Sequence, residues 1–191
     1  MRVSIFGSPA TGADNVPSVK VTAGYDFAKG KAYTVDVPLE TGFTVTADVN
    51  GVLDGYWSDV TRTVVLGKAT QEQRDMYRFV FDLTRTCYDA IKPGVACKDV
   101  IAVCKRELER AGRSTQAVGR IGHGIGCDGL EYPSLAASEE IVIEEGMTFA
   151  CNPNFTTGFG FFNVEENLAV TRNGFRYLSE PTAAKDLQVI G

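Results

Sequence analysis

The sequence predicts an α+β protein in which an antiparallel sheet is covered by helices. Three observations carry this. Short β-branched runs broken by glycine turns fill residues 44–66 and again 147–171. Between them, from residue 70 to about 111, the apolar period changes from two to about 3.6. The resulting order of strands, two helices and strands differs from the strand–helix alternation of parallel sheets. A chain of 191 residues fits one domain with a sizeable core.

Residues 1–20 are rich in Gly, Pro, Ser and Asn and are expected to be irregular, ahead of a domain spanning 21–191. Val21 to Ala32 reads as a connector of ambiguous type. Pro38-Leu39-Glu40-Thr41-Gly42 is a turn. Thr44, Thr46 and Asp48 then alternate with Val45, Ala47 and Val49, the period of a half-buried strand. Gly51 and Asp54-Gly55 break this run, and Val60 to Leu66 resumes it.

Thr70-Gln71-Glu72-Gln73 is a capping box. Met76, Phe79, Val80, Leu83, Cys87 and Ile91 follow at helical spacing as a core stripe, and Lys92-Pro93-Gly94 ends that helix. A second helix covers about Cys97 to Ala111, with Val100, Val103, Cys104 and Leu108 on one face and Gly112 at its end. Strands are expected near Met147–Cys151 and Phe162–Thr171, and Asn173-Gly174 marks a tight turn.

The chemistry concentrates in the strands. Asp48 and Asp59 lie eleven residues apart in two runs that read as a hairpin. Pairing of those runs makes the two carboxylates cross-strand neighbours. Facing anions in a sheet need a proton, a partner or a cation. The one histidine, His123, stands in Gly122-His123-Gly124-Ile125-Gly126, where small residues let backbone approach closely. Glu165 and Glu166 are adjacent in a strand-like run, so they face opposite sides. Two Asp, one His and one Glu form a hard, oxygen-rich set suited to Mn, Fe, Co or Zn. An ordinary alternative for Asp59 is a surface ion pair with Arg62.

These residues resemble the pita-bread metallohydrolases, which include methionine aminopeptidase, Xaa-Pro aminopeptidase, prolidase and creatinase. The resemblance runs from about Val21 to about Ser179. Asp48 and Asp59, the latter in Gly55-Tyr56-Trp57-Ser58-Asp59-Val60-Thr61-Arg62-Thr63, look like the first two metal ligands. Gly122-His123-Gly124 matches the histidine ligand, Gly146 to Pro153 the stretch carrying the next ligand at Asn152, and Val164-Glu165-Glu166 the last. The resemblance implies a pita-bread fold and one or two divalent metal ions (Mn, Co, Zn or Fe). It also implies a metal-activated water attacking a peptide or amide bond, as in Xaa-Pro aminopeptidase or prolidase. The substrate so implied is a short peptide or small amide.

The departures from the family pattern are specific. Asn152 stands where peptidase members have a glutamate that also serves as general base, and a neutral amide cannot fill that role. Glu131 is a candidate substitute. Two further family histidines are missing, near Lys31 to Tyr33 and at Leu130. With one carboxylate fewer, a single ion is favoured, on the Asp48/Asp59/Glu165 side. Glu131-Tyr132-Pro133-Ser134 also resembles non-peptidase relatives that cleave C–N bonds of small metabolites, such as creatinase or ectoine hydrolase. A non-catalytic binding module is a third reading. Compared with the family, the chain starts after the usual preceding helix and N-terminal domain. Trp57 and Phe159 are candidates for lining a substrate pocket, whereas Phe162 reads as core.

Composition narrows the partners. A net charge of −5 without a basic block argues against nucleic acid. No run reaches the ~20 apolar residues of a membrane span. Five cysteines, an odd number without a Cys-x-x-Cys, read as reduced thiols and a cytoplasmic setting. A homodimer is compatible with the sequence.

Overall fold

The computed structural model describes residues 40–116, 118–182 and 185–191, and before them the backbone of three strands. These are β1 (Arg2–Phe6), β2 (Ser18–Asp26) and β3 (Lys31–Pro38). The N-terminal stretch expected to be irregular therefore contains a strand, which pairs antiparallel with the next element. Arg2 and Asp48 mark one end of that register, Phe6 and Thr44 the other. Arg2-Val-Ser-Ile-Phe6 alternates too briefly among turn residues to stand out, and pairing with an existing edge forms it. Of the ambiguous connector, residues 21–26 and 31–32 are strand, in an antiparallel β2–β3 pair with a bulge between Thr22 and Gly24, and the rest lies outside the described residues.

β4 (Thr44–Leu53) and β5 (Tyr56–Leu66) form the long hairpin. Its two-residue turn is Asp54-Gly55, with φ of 51° and 86°, the left-handed pair that a tight twisted hairpin requires. Gly51 does not break the strand; it lies within β4 opposite Ser58. The inward face of this hairpin is polar, with Thr44, Thr46, Thr61 and Thr63 all buried. Their hydroxyls are bonded: Thr46 to Thr63 at 3.1 Å, and Thr63 to the carbonyl of Asn163 at 2.8 Å. That satisfaction is what makes a threonine face tolerable in a core.

α1 (Gln71–Ala90) starts at the predicted capping box, with Thr70 and Gln73 each accepting from the other's backbone N–H. Such a cap contributes about 1 kcal/mol. Gln73 also donates to the carbonyls of Gly42 and Phe159, at 2.6 and 2.9 Å, tying the helix to two turns. α2 (Cys97–Arg110) has no side-chain cap. Its first N–H groups use the carbonyls of Ile141 and Glu139 instead. Val103 is only half-buried, and Ile101 takes its place in the core.

β6 (Arg120–Gly124), β7 (Glu131–Ala136) and β8 (Thr148–Cys151) follow, then the small hairpin β9 (Phe155–Thr157) and β10 (Gly160–Phe162). β11 (Glu166–Thr171) and β12 (Gly174–Tyr177) are joined by the two-residue turn Arg172-Asn173, one residue before the Asn173-Gly174 expected from the sequence, and β13 is Gln188–Ile190. The second large sheet has the order β12-β11-β8-β6-β7 and is antiparallel throughout. The first, β1-β4-β5-β13, is antiparallel except that β13 runs parallel to β5.

A bridge between Thr61 of β5 and Glu165, just before β11, stitches the two sheets together. The helices cover them. Leu83, Cys87, Tyr88 and Ile91 of α1 and its end pack with Val100, Cys104 and Leu108 of α2 on Ile121, Phe149, Cys151 and Leu168. Met76, Tyr77 and Val80 pack on Val65, Phe162 and Val164. Among the described residues, no helix is long and apolar enough to cross a membrane.

Candidate metal centre

The seam between the sheets gathers the acidic residues. Asp48 pairs with Thr61 and Asp59 with Asn50 across the hairpin. The two aspartates are thus cross-strand neighbours, as the sequence suggested, set diagonally on one face. The position of the Asp54-Gly55 turn sets that offset. Asp48 Oδ1 accepts from Asn50 Nδ2 at 2.7 Å. Arg62, three residues beyond Asp59, points to the other face, so the surface pair with Asp59 does not form. Its guanidinium binds Glu166 at 3.0 Å and the carbonyl of Glu165 at 2.9 Å.

Asp59, His123 and Glu165 offer one ligand atom each within 4.8 Å of one another. His123 Nε2 lies 3.8 Å from Asp59 Oδ2. His123 Nδ1 is 3.0 Å from the carbonyl of Gly124. That contact assigns the proton to Nδ1 and leaves the Nε2 lone pair facing the carboxylates. Glu165 Oε2 accepts the Thr61 hydroxyl at 2.6 Å. Asp59 Oδ1 and Glu165 Oε1 are buried and have no hydrogen-bond partner. A buried carboxylate oxygen without a donor is costly.

The electrostatics are strained in the same sense. Burial pushes the Asp59 carboxyl up to about 7, and the neighbouring Asp48 carboxylate adds to it. Burial, then the charge of Asp59, pushes Glu165 up to about 8, against the Thr61 hydroxyl and the Asn152 side chain, which favour its ionised form. His123 is held below its ordinary value by burial. Three carboxylates beside a neutral imidazole, with two free oxygens, form a donor set that fits a divalent cation. The compact trio lies on the His123 side of the seam, whereas the sequence favoured the Asp48/Asp59/Glu165 side.

Local backbone holds this arrangement. A Cβ on Gly122 would stand 2.5 Å from the carbonyl oxygen of Ala150, and one on Gly124 2.7 Å from that of Tyr132. Only glycine lets β6 lie this close to β7 and β8. Asn152 directly follows β8, its N–H on the carbonyl of Ile121 at 2.7 Å.

The remaining candidates lie elsewhere. Glu131 Oε1 accepts the N–H of Asp128 at 2.6 Å, which holds the carboxylate on its own loop and outside the trio. Leu130 is exposed. Trp57, 39% exposed, stands against Gly129 near the hairpin tip, and its backbone N–H donates to the carbonyl of Gly126 at 2.7 Å. Phe159, 38% exposed, stacks edge-on to buried Phe162 beside the start of α1. The side chains of Lys31 to Tyr33 lie outside the described residues.

Sequence reading missed three supports. The Asn167 side chain brackets the backbone of Asp59. Thr61 holds Glu165. Buried Glu166 binds Arg62, Ser179 and the N–H of Thr182, bracing the far side of the seam. An Asn and a Glu inside the run Glu166-Asn167-Leu168-Ala169-Val170 were the available signal, because polar residues in a buried strand need partners.

A family model for metallopeptidase family M24 matches residues 13–172. The chain is 33% identical over 147 residues to the Xaa-Pro dipeptidase of Lactobacillus helveticus, covering 76% of this chain and 39% of that protein. Its fold is similar to a dipeptidase from Pyrococcus horikoshii, with a TM-score of 0.75, 26% identity and coverage of 82% and 44%. It is also similar to a dipeptidase from Mycobacterium ulcerans, with a TM-score of 0.74, 29% identity and coverage of 94% and 47%. The chain spans less than half the length of each of these relatives.

Proposed function

The chain belongs to metallopeptidase family M24, and from that premise we propose that it is a metal-dependent hydrolase of short Xaa-Pro-type peptides with weakened peptidase chemistry. The observation that carries this is the Asp59/His123/Glu165 trio with its two partnerless buried oxygens. The similarity to Xaa-Pro dipeptidases supports the substrate class. A divalent ion, when bound, supplies Lewis acidity and a more acidic water. Asp59 and Glu165 would hold it through anionic oxygens, and His123 through Nε2.

The protein's own groups determine the rest. The Nδ1 contact to Gly124 fixes the histidine tautomer, and Thr61 fixes the Glu165 rotamer. Asn152 approaches Glu165 but cannot take a proton, and Glu131 is engaged on its loop. Together with Leu130, this leaves three family functions unfilled, counting the position near Lys31. Each loss of a transition-state contact typically costs about 10²–10³ in rate, and such losses do not add simply. The free cysteines Cys87, Cys97, Cys104, Cys127 and Cys151 agree with a reducing, cytoplasmic setting.

A second reading, C–N hydrolysis of a small metabolite, is favoured by the neutral Asn152 and by Leu130. One panel tests both: Xaa-Pro dipeptides and small amides with Mn, Co or Zn, using Asp59→Ala as the blank. Slow, metal-dependent dipeptide turnover that vanishes in Asp59→Ala is expected. Turnover of the amides alone supports the second reading, and activity that survives Asp59→Ala contradicts both.

A further inference from the structure

The β4–β5 hairpin runs past the strand that flanks its base. β1 accompanies β4 only as far as Arg2 opposite Asp48, whereas β4 and β5 stay paired as far as Leu53 opposite Tyr56. Beyond Asp48 the hairpin is therefore a two-stranded ribbon. Its β5 edge is engaged: the Trp57 backbone N–H donates to the carbonyl of Gly126, and the Asn167 side chain brackets Asp59. Among the described residues nothing pairs with the outer edge of β4 over residues 49–53. Such an edge presents unpaired N–H and C=O groups to any strand that can lie beside it.

Proteins usually blunt a free edge with Lys, Pro or a bulge. Val49-Asn50-Gly51-Val52-Leu53 has no charge and no proline, and its register with β5 is continuous. The tip is also apolar and open to solvent. Leu53 is 78% exposed, Tyr56 66% and Val52 56%, and Val49 and Trp57 are exposed beside them. Val52 and Trp57 share the site face with Asp59, and Val49, Leu53 and Tyr56 share the other. These five side chains present about 500 Å² on each copy, so a two-fold contact that covers them removes about 1,000 Å² in all, the size at which specific interfaces begin.

We propose that the β4 edge at the hairpin tip is a dimerisation surface, occupied by the same edge of a second copy of this chain. A strand paired with itself closes under a two-fold axis when the pair is antiparallel. Centred on Gly51, such a pair sets Val49 opposite Leu53 of the second copy and Asn50 opposite Val52, and the glycines on the axis bring no side chains into collision. The result is a four-stranded sheet whose paired segment carries no charge. The −5 charge of each chain opposes the encounter and salt screens it, so salt should strengthen this dimer, whereas it would weaken a contact made of ion pairs. The surface stands whatever reaction the metal centre performs.

The test is sedimentation of the full chain across a dilution series, at low and at high salt. A reversible dimer is expected, tighter at high salt. Leu53→Lys puts a cation on the edge at an exposed position and should weaken dimerisation about 10- to 100-fold. Val189→Lys puts the same charge on β13, the exposed strand at the other end of that sheet, and should dimerise like the unmodified chain. A chain that stays monomeric at every concentration, a dimer unaffected by Leu53→Lys, or one lost in Val189→Lys would overturn the proposal. Hydrogen exchange on the unmodified chain reads the edge itself: the amides of residues 49–53 should slow as concentration rises. Slow exchange at every dilution would mean that the chain covers its own edge, and slowing only on addition of Gly-Pro would make the occupant a peptide. Either result overturns the proposal.

Discussion

The side-chain amide of Asn167 brackets the backbone of Asp59: the Asp59 N–H donates to Oδ1 at 2.8 Å, and Nδ2 donates to the Asp59 carbonyl at 2.6 Å. One side chain thus replaces a rung of ladder between β5 and β11 where the two sheets meet, and fixes where the Asp59 carboxylate points. Asn167→Ala is expected to cost about 1–3 kcal/mol of stability and to weaken Mn binding about 10- to 100-fold, as losses of supporting contacts at metal sites do. Denaturant unfolding and calorimetric titration of the variant measure both. Unchanged Mn affinity would remove Asn167 from the site.

The raised carboxyls predict an unusual pH dependence. Asp59 at about 7 and Glu165 at about 8 sit above the ordinary carboxylate range near 4. Their protonated forms therefore favour the metal-free fold. This stabilisation is complete below about pH 4 and is lost as pH rises through about 7 and 8. Metal binding runs the other way, because the ion displaces those protons, and affinity should gain up to about tenfold per pH unit for each proton released. Scanning calorimetry from pH 5 to 8.5 should show the metal-free Tm falling more steeply in the unmodified protein than in Glu165→Gln. Identical slopes would mean that Glu165 ionises normally.

Gly122 offers a test of packing at the histidine strand. Gly122→Ala places a Cβ 2.5 Å from a backbone oxygen of β8, which no side-chain rotation relieves. Overpacking of this kind typically costs about 1–3 kcal/mol, and the shift of β6 it forces should also weaken metal binding through His123. Gly119→Ala meets nothing within 4 Å and serves as the control, expected within about 0.5 kcal/mol of the unmodified protein. Thermal melts with and without Mn separate the two effects.

Much of this site was legible from residue type and spacing. Asp48, Asp59, His123 and Glu165 stand out because charged or imidazole side chains interrupt strand-like runs. The capping box at Thr70 and the stops at Pro93 and Gly112 gave both helices to within a residue or two. What could not be read depends on contacts between distant segments. Asn167 and Asp59 are 108 residues apart, and nothing local announces their bond. Thr44, Thr46, Thr61 and Thr63 look like the polar side of a strand, yet they face inward because Asn163, Phe161 and Glu165, in β10 and the segment leading into β11, supply partners. β1 exists because β4 offers it an edge. The diagonal offset of Asp48 and Asp59 follows from where the turn falls, which a one-residue change in register would alter.

Asp59, His123 and Glu165 would hold one divalent ion, with Asn152 too weak a ligand to build a second site. Titration of metal-free protein with Mn in a calorimeter tests this directly. One tight site is expected in the unmodified chain, none in Asp59→Ala, and two in Asn152→Glu, where the added carboxylate would stand near Glu165 as a further ligand. Two equally tight sites in the unmodified chain, or tight binding that survives Asp59→Ala, would contradict it.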